Sequence, residues 1–254
     1  MNRRLCLLAC VAGCLVPVAA RADLPAVIER LKPSVVLVGT YKATDSPRFQ
    51  MRGTGFVVGD GLQVITNLHV LPDPPASGDA PALVIQVRQG SSWQMRAATL
   101  VGQDAPRDLA LLRVQEGAAM PAMTIGNSDA VREGEDVAFM GFPIGGALGY
   151  STVTHRAMVS SITPANLPSP TAGRLQPQAI RGLREDAFNL FQLDGTAYPG
   201  NSGGPLFNPG NGEVLGVVSM VLVKGRRESA LSQPSGITYA VPARHVQALL
   251  ERHR

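Results

Sequence analysis

Seven consecutive residues, Pro199-Gly200-Asn201-Ser202-Gly203-Gly204-Pro205, set three glycines and two prolines around one serine, a density that no regular strand or helix tolerates. A serine flanked by glycines can expose its hydroxyl at a tight bend, and neighbours without side chains let backbone N–H groups converge on an anion. Those are the two requirements of acyl transfer, a reactive oxygen and a cradle for the oxyanion. Taken alone, the stretch could also be a glycine-rich turn with no chemistry.

Context separates two serine architectures. Gly200 to Gly204 satisfies the Gly-x-Ser-x-Gly elbow, but that arrangement needs a helix straight after the serine, then an acid, then a histidine. Here the turn Asn208-Pro209-Gly210-Asn211-Gly212 follows, and no aspartate lies downstream, only Glu213, Glu228 and Glu251 with His245 and His253. The opposite order, histidine, aspartate, serine, is met. Thr66-Asn67-Leu68-His69-Val70 puts an imidazole at a strand end, where it can overhang a cleft. Arg107-Asp108-Leu109-Ala110-Leu111-Leu112 puts a carboxylate at the start of an apolar strand, a half-buried acceptor for an imidazole N–H or a solvated turn residue.

The elements that must carry these residues are short. Residues 25–32 read as a helix with Pro25 at its start, ended by Pro33. Runs at 35–41, 55–58, 63–66, 83–88, 96–101, 109–114, 136–140, 158–162, 188–193, 214–223 and 238–241 are β-branched or alternating, punctuated by Gly, Pro and Asp. Many short strands with turn signals between them predict barrels or a sandwich. Val246, Leu249 and Leu250 at helical spacing predict a terminal amphipathic helix over 242–254. Residues 72–81 and 163–178 read as surface loops, and 117–121 as a joint between two lobes.

With these segments in view, the chain resembles the trypsin-like serine peptidases of the bacterial HtrA (high-temperature-requirement) type. Thr66-Asn67-x-His69-Val70, Asp108-Leu109-Ala110-Leu111-Leu112 and Gly200-Asn201-Ser202-Gly203-Gly204-Pro205-Leu206 occur in that family's order and at similar intervals. Pro33-Ser34-Val35-Val36, Gly53-Thr54-Gly55-Phe56 and Ile125-Gly126-Asn127-Ser128 are weaker echoes. The resemblance implies an all-β fold of two packed antiparallel β-barrels, the first at about 34–117 and the second at about 121–241, with a short helix at each end and a cleft between the barrels. It implies Ser202 as nucleophile, His69 as general base and Asp108 as the group that orients the imidazole. The turn Gly200-Asn201-Ser202 would supply the oxyanion hole, through the N–H groups of Gly200 and Ser202. Thr196 would lie near the base of the primary pocket and Ser219-Met220-Val221 along its wall. With no acid expected there, small or medium aliphatic side chains would be preferred. Met220 and Val221 could equally pack the core. No PDZ domain is expected, and residues 23–33 lack the aromatic that often staples family trimers, so the oligomeric state stays open. The segment 163–187 looks longer than usual for the family.

Composition bounds the rest. The chain has 254 residues, 45% hydrophobic and 17% charged, enough apolar material for a sizeable core and too little charge for disorder. Met1-Asn2-Arg3-Arg4, an apolar run from Leu5 to Ala20 and Ala20-Arg21-Ala22 read as a signal peptide over 1–22, which predicts an exported, periplasmic or secreted domain over 23–254. The run is too short for a membrane anchor and contains Pro17, so no transmembrane helix is expected beyond it. Val11-Ala12-Gly13-Cys14 resembles a lipobox, which would acylate Cys14 instead. Without the three leader arginines, 20 basic residues face 19 acidic ones, a net charge of +1 that implies no nucleic-acid partner. Cys6, Cys10 and Cys14 all lie in the leader, so neither disulfides nor thiolate metal sites are expected, nor any cofactor.

The partners that the resemblance implies are protein or peptide substrates. A noncatalytic peptide-binding or chaperone-like module on the same scaffold, and a serine esterase, are the competing readings. If His69 is the base, hydrolysis must fall in acid, since only neutral imidazole accepts a proton and the reference pKa of that ring is about 6.5. A hydrolysis rate that stays flat down to about pH 4 in a buffer series would contradict that assignment.

Overall fold

The computed structural model describes residues 23–72, 80–145, 149–165, 188–220 and 236–253. Strands β1 (Val35–Tyr41), β2 (Phe49–Val58), β3 (Gln63–Asn67), β4 (Ala82–Gln89), β5 (Ser92–Asp104) and β6 (Leu109–Val114) close into one barrel in the order β1-β2-β3-β6-β5-β4. Strands β7 (Asp136–Gly141), β8 (Val153–Pro164), β9 (Asn189–Leu193), β10 (Pro205–Phe207), β11 (Val214–Ser219) and β12 (Thr238–Pro242) close a second in the order β10-β11-β12-β9-β8-β7. All the strand pairs are antiparallel, and closure removes the exposed edges that an open sheet would present. Helix α1 (Leu24–Leu31) precedes the barrels and α2 (Ala243–Arg252) follows them. The all-β, two-barrel fold with a helix at each end is the one the resemblance implies.

The period-two geometry of a strand sends alternate side chains to opposite faces, and here both faces are dry. On β1, Val36 and Val38 join Val57, Val64, Ala110 and Leu112 inside the first barrel. Val35 and Leu37 join Phe56, Leu109, Leu111, Met140, Phe207 and Val217 in a cluster that draws on both barrels and both helices. On β7, Val137 and Phe139 fill the second barrel while Ala138 and Met140 enter the shared cluster. Burial on both faces is why 35–38, 109–112 and 137–140 read as unbroken apolar runs rather than alternating ones. The shared cluster fixes the two barrels against each other and so sets the geometry of anything built across their seam.

Several expected boundaries move. β2 begins at Phe49 rather than at 55, because its outer half pairs with β1 as far as Tyr41↔Phe49. β5 and β8 extend well beyond 96–101 and 158–162, carried by ladder hydrogen bonds through polar, half-exposed residues that hydropathy does not flag. β10 is absent from the expected strands: it has three residues and opens on Pro205, which suits a first strand position lacking a ladder N–H. Phe188 precedes β9 rather than opening it, and β11 ends at Ser219. Thr163 and Pro164 belong to β8, while the rest of the loop read over 163–178 beyond Ala165, most of 72–81 and residues 221–223 lie outside the described residues, as do 1–22. The helix read over 25–32 runs Leu24–Leu31, and a 3-10 turn, Lys32–Ser34, leads into β1. Among the described residues no helix is long and apolar enough to cross a membrane.

Helix α2 packs Val246 and Leu249 into the shared cluster and ties down through Arg244 to Asp129 at 2.7 Å and Arg252 to Asp104 at 3.3 Å. His245 stands edge-on to Phe188, ring centroids 5.5 Å apart. Burial, reinforced by the positive charges of Arg107 and Arg244, pushes its pKa down to about 4. A histidine held neutral in the fold but free to protonate when unfolded contributes stability at pH values above its ordinary pKa, and that contribution drains as pH falls from about 6.5 toward 4. His245 is half-buried, so solvent screening reduces the effect to about 1 kcal/mol by pH 5, or about 2–4 °C in melting temperature. Thermal melts at pH 7 and pH 5 should therefore show that much less acid loss in His245→Phe than in the wild type, and parallel shifts in the two proteins would refute the coupling.

Candidate active site

β3 and β6 pair in register Asn67↔Leu109, so the end of one strand lies beside the start of the other. The chain leaves β3 through a 3-10 turn, Leu68–Val70, which carries His69, and enters β6 from a second, Ala105–Arg107, which delivers Asp108. Asp108 has φ 54°, a left-handed conformation that Asp adopts more readily than most residues. That backbone is held from the β3 side: the Asp108 carbonyl accepts the Leu68 N–H at 3.0 Å and the Asn67 Nδ2 amide at 2.9 Å.

The carboxylate of Asp108, a buried residue, accepts three hydrogen bonds. His69 N–H donates to Oδ1 at 2.9 Å, and His69 Nδ1 and Ser219 Oγ donate to Oδ2 at 2.6 and 3.0 Å. A carboxylate can only accept, so Nδ1 carries a proton, and in the neutral ring Nε2 is the nitrogen that keeps its lone pair. Ser219 comes from β11 of the other barrel, and its hydroxyl is the polar bond that crosses the seam to Asp108.

Ser202 reaches the same seam through two successive turns. Tyr198-Pro199-Gly200-Asn201 closes with Asn201 N–H to Tyr198 O at 2.9 Å, Pro199 at its second position and Gly200, φ 102°, at its third, the sequence and sign of a type II turn. Asn201-Ser202-Gly203-Gly204 closes with Gly204 N–H to Asn201 O at 3.0 Å, and Gly203, φ 85°, occupies the third position. The Gly203 N–H donates to Val218 O at 2.9 Å, one residue before Ser219. A β-carbon on Gly203 would stand 2.1 Å from Thr54 O and 2.3 Å from Thr66 Oγ1, so only glycine lets the serine turn lie this close to the strand leading to His69. Gly53 fills the gap between the two: a β-carbon there would sit 2.9 Å from Ser202 O and 2.6 Å from a Val70 methyl.

The turns also aim two donors. A trans peptide points its N–H opposite its C=O. Pro199 O accepts from Ile144 N–H at 2.7 Å and Asn201 O from Gly204 N–H at 3.0 Å, which fixes the Gly200 and Ser202 N–H groups. Among the described residues neither meets a backbone carbonyl, whereas the Asn201 N–H is committed to Tyr198 O. Of the three residues expected to line an oxyanion site, the middle one therefore spaces the other two.

Ser219, expected on the pocket wall, turns its buried hydroxyl onto Asp108. Thr196 is half-buried in a segment pinned by Thr238, whose Oγ1 accepts from Ala197 N–H at 2.8 Å and donates to Gly195 O at 2.5 Å. Met220 packs against the second-barrel core, and Val221 lies outside the described residues. Sequence reasoning did not single out His155, which stacks on Phe139 at 4.6 Å and meets the Asn201 amide at 3.5 Å, with burial lowering its pKa. Nothing in the sequence marks it, since it is a lone histidine in a polar strand. Among the described residues no group of three or more His, Cys, Asp or Glu could hold a metal ion.

Comparison with known proteins gives the same frame. A family described as trypsin-like peptidase domain matches residues 53–217, a span that contains His69, Asp108 and Ser202. The chain is 33% identical over 200 residues to the mitochondrial serine protease HTRA2 of Drosophila pseudoobscura pseudoobscura, covering 79% of this chain and 38% of that protein. It is 30% identical over 230 residues to HTRA2 of Bos taurus, covering 89% and 42%, and 27% identical over 229 residues to human HTRA3, covering 88% and 43%. It thus spans about four-tenths of the length of these relatives. A solved HtrA-type protease, AlgW, a variant with a tripeptide, shares the fold at a TM-score of 0.61 and 22% identity over 90% of this chain and 62% of that one. The chain belongs to the trypsin-like peptidase domain family and is of the HtrA type.

Proposed function

We propose that the protein is a serine endopeptidase in which Ser202, His69 and Asp108 act as a triad. The observation that carries this reading is the Asp108 carboxylate, which takes up His69 Nδ1 at 2.6 Å and so leaves Nε2 as the ring nitrogen able to act as a base. His69 Nε2 removes the Ser202 hydroxyl proton as Oγ attacks the scissile carbonyl carbon. The imidazolium then passes that proton to the leaving amine, the C–N bond breaks and an acyl ester remains on Ser202. Water, deprotonated by the same imidazole, attacks the ester and restores the serine. Through both halves the developing oxyanion draws on the N–H groups of Gly200 and Ser202, donors already oriented before substrate arrives.

The substrates in this reading are proteins or peptides, with small or medium aliphatic side chains preferred before the cleaved bond. A threonine rather than an acid at 196, the position expected at the base of the pocket, supports that preference. The basic start, the apolar run and Ala20-Arg21-Ala22 support export to the periplasm or beyond.

A biotinylated fluorophosphonate should label the protein on Ser202 and fail on Ser202→Ala. Asp108→Asn should slow both labelling and casein cleavage by about 10³–10⁴-fold, because the amide no longer fixes the imidazole tautomer. A wild-type protein that neither labels nor cleaves casein at pH 7 to 8, where imidazole is neutral, would overturn the proposal.

A further inference from the structure

Thr54 lies on β2 of the first barrel and is fully buried, yet its N–H and hydroxyl serve the other barrel. Its N–H donates to Ser202 O at 2.9 Å. Its hydroxyl donates to Gly200 O at 2.6 Å and accepts from Phe142 N–H at 3.1 Å. Its carbonyl accepts from Thr66 Oγ1 at 2.7 Å, which anchors it to β3, the strand that leads to His69. One residue therefore grips the serine turn at the carbonyls on both sides of Asn201-Ser202 and also grips the segment after β7.

That second grip matters because the segment sets the direction of a candidate oxyanion donor. Phe142, held by the Thr54 hydroxyl, lies two residues before Ile144, whose N–H bonds Pro199 O and so aims the Gly200 N–H. The hydroxyl thus links the two parts that must stay in register for Gly200 and Ser202 to point at one atom. A hydroxyl offers one donor and two acceptor sites, and here the donor and one acceptor are in use. Gly141 leaves room for it, since a β-carbon there would stand 3.1 Å from Thr54 Oγ1 and 2.6 Å from Asn201 Oδ1.

We infer that Thr54 is a positioning residue for the oxyanion site, acting through its side-chain hydroxyl from the opposite barrel. The inference rests on the peptidase reading and adds a residue that touches no substrate. Without the hydroxyl, the Gly200 carbonyl and the Phe142 N–H lose their buried partner, and Gly200, free of side-chain restriction, can rotate its peptides away from the convergent arrangement. Such a loss is felt where negative charge develops rather than where substrate docks.

The test compares Thr54→Val, which keeps the shape and removes the hydroxyl, with Thr54→Ser, which keeps the hydroxyl and removes the methyl. The reaction is fluorophosphonate inactivation, resolved into a maximal rate and a half-saturating concentration, because the phosphoryl oxygen occupies the oxyanion position during attack. Thr54→Val should lose about 10–100-fold in maximal rate while the half-saturating concentration stays within about threefold, and Thr54→Ser should recover to within about fivefold of the wild type. A folded Thr54→Val with wild-type maximal rate overturns the inference. So does a folded Thr54→Ser as slow as Thr54→Val, which would mean that the methyl's packing matters and not the hydroxyl. If Thr54→Val does not fold, the Ser variant decides alone: recovery supports the role and a loss beyond about tenfold refutes it. An inert wild type is a different result, since it removes the peptidase reading and this role together.

Discussion

The arrangement depends on one carboxylate whose donors come from two barrels. Asp108 takes the His69 N–H and Nδ1 from its own barrel and the Ser219 hydroxyl from β11 of the other. A buried carboxylate without those donors would be expensive, so each one present stabilises the rest. The imidazole is aimed because the carboxylate is aimed, and the carboxylate is aimed because β3 and β11 both reach it. The serine turn follows from the same contact: β11 holds Gly203 through Val218, one residue before Ser219. Separating the barrels would therefore disperse the candidate site before it unfolded either barrel.

The hydrophobic core exists in the form it does to hold that seam. Leu109 and Leu111 follow Asp108 in β6 and pack with Val217 of β11 in a single cluster, so the apolar layer that joins the barrels begins beside the polar contacts. Apolar packing resists sliding, since interiors at crystal-like density have few alternative arrangements. Hydrogen bonds alone would give direction without rigidity. Here the two operate a residue apart along the same strands.

How much of this could be read from the chain follows from what each residue announces. Glycine and proline state their geometry openly: Pro199-Gly200 is the signature of the turn that forms, and the two-barrel fold follows from a resemblance spread over most of the length. His69 and Asp108 declare themselves by type and by their places at strand ends. Boundaries in polar strands such as β5 and β8 are less legible, because their stability comes from ladder bonds and neighbours rather than from their own hydropathy. Buried hydroxyls are the least legible of all. Thr54 sits in a strand where threonine is an ordinary β-former, and Ser219 ends an apolar strand where the resemblance implies only a place on a pocket wall. Only the approach of the other barrel gives either hydroxyl a partner, and periodicity carries no information about that approach.

The places where the chain breaks the usual rules argue for the same seam. Among the described residues, four buried side-chain atoms lack a hydrogen-bond partner: Asn67 Oδ1, Arg107 Nε, Thr154 Oγ1 and Asn201 Oδ1. Three of these residues lie within two positions of His69, Asp108 or Ser202, and the fourth is next to His155, whose ring meets Asn201. Ile144, β-branched and 52% exposed, holds φ 58°, a conformation costly for its type, while its N–H bonds Pro199 O beside the serine turn. A β-branched residue held in that backbone region costs about 1–3 kcal/mol, and this one falls beside the serine turn. A fold chosen for stability would spread or remove such defects. Departures from local rules gather where function competes with folding, and here they gather beside His69, Asp108 and Ser202, the residues of the candidate site.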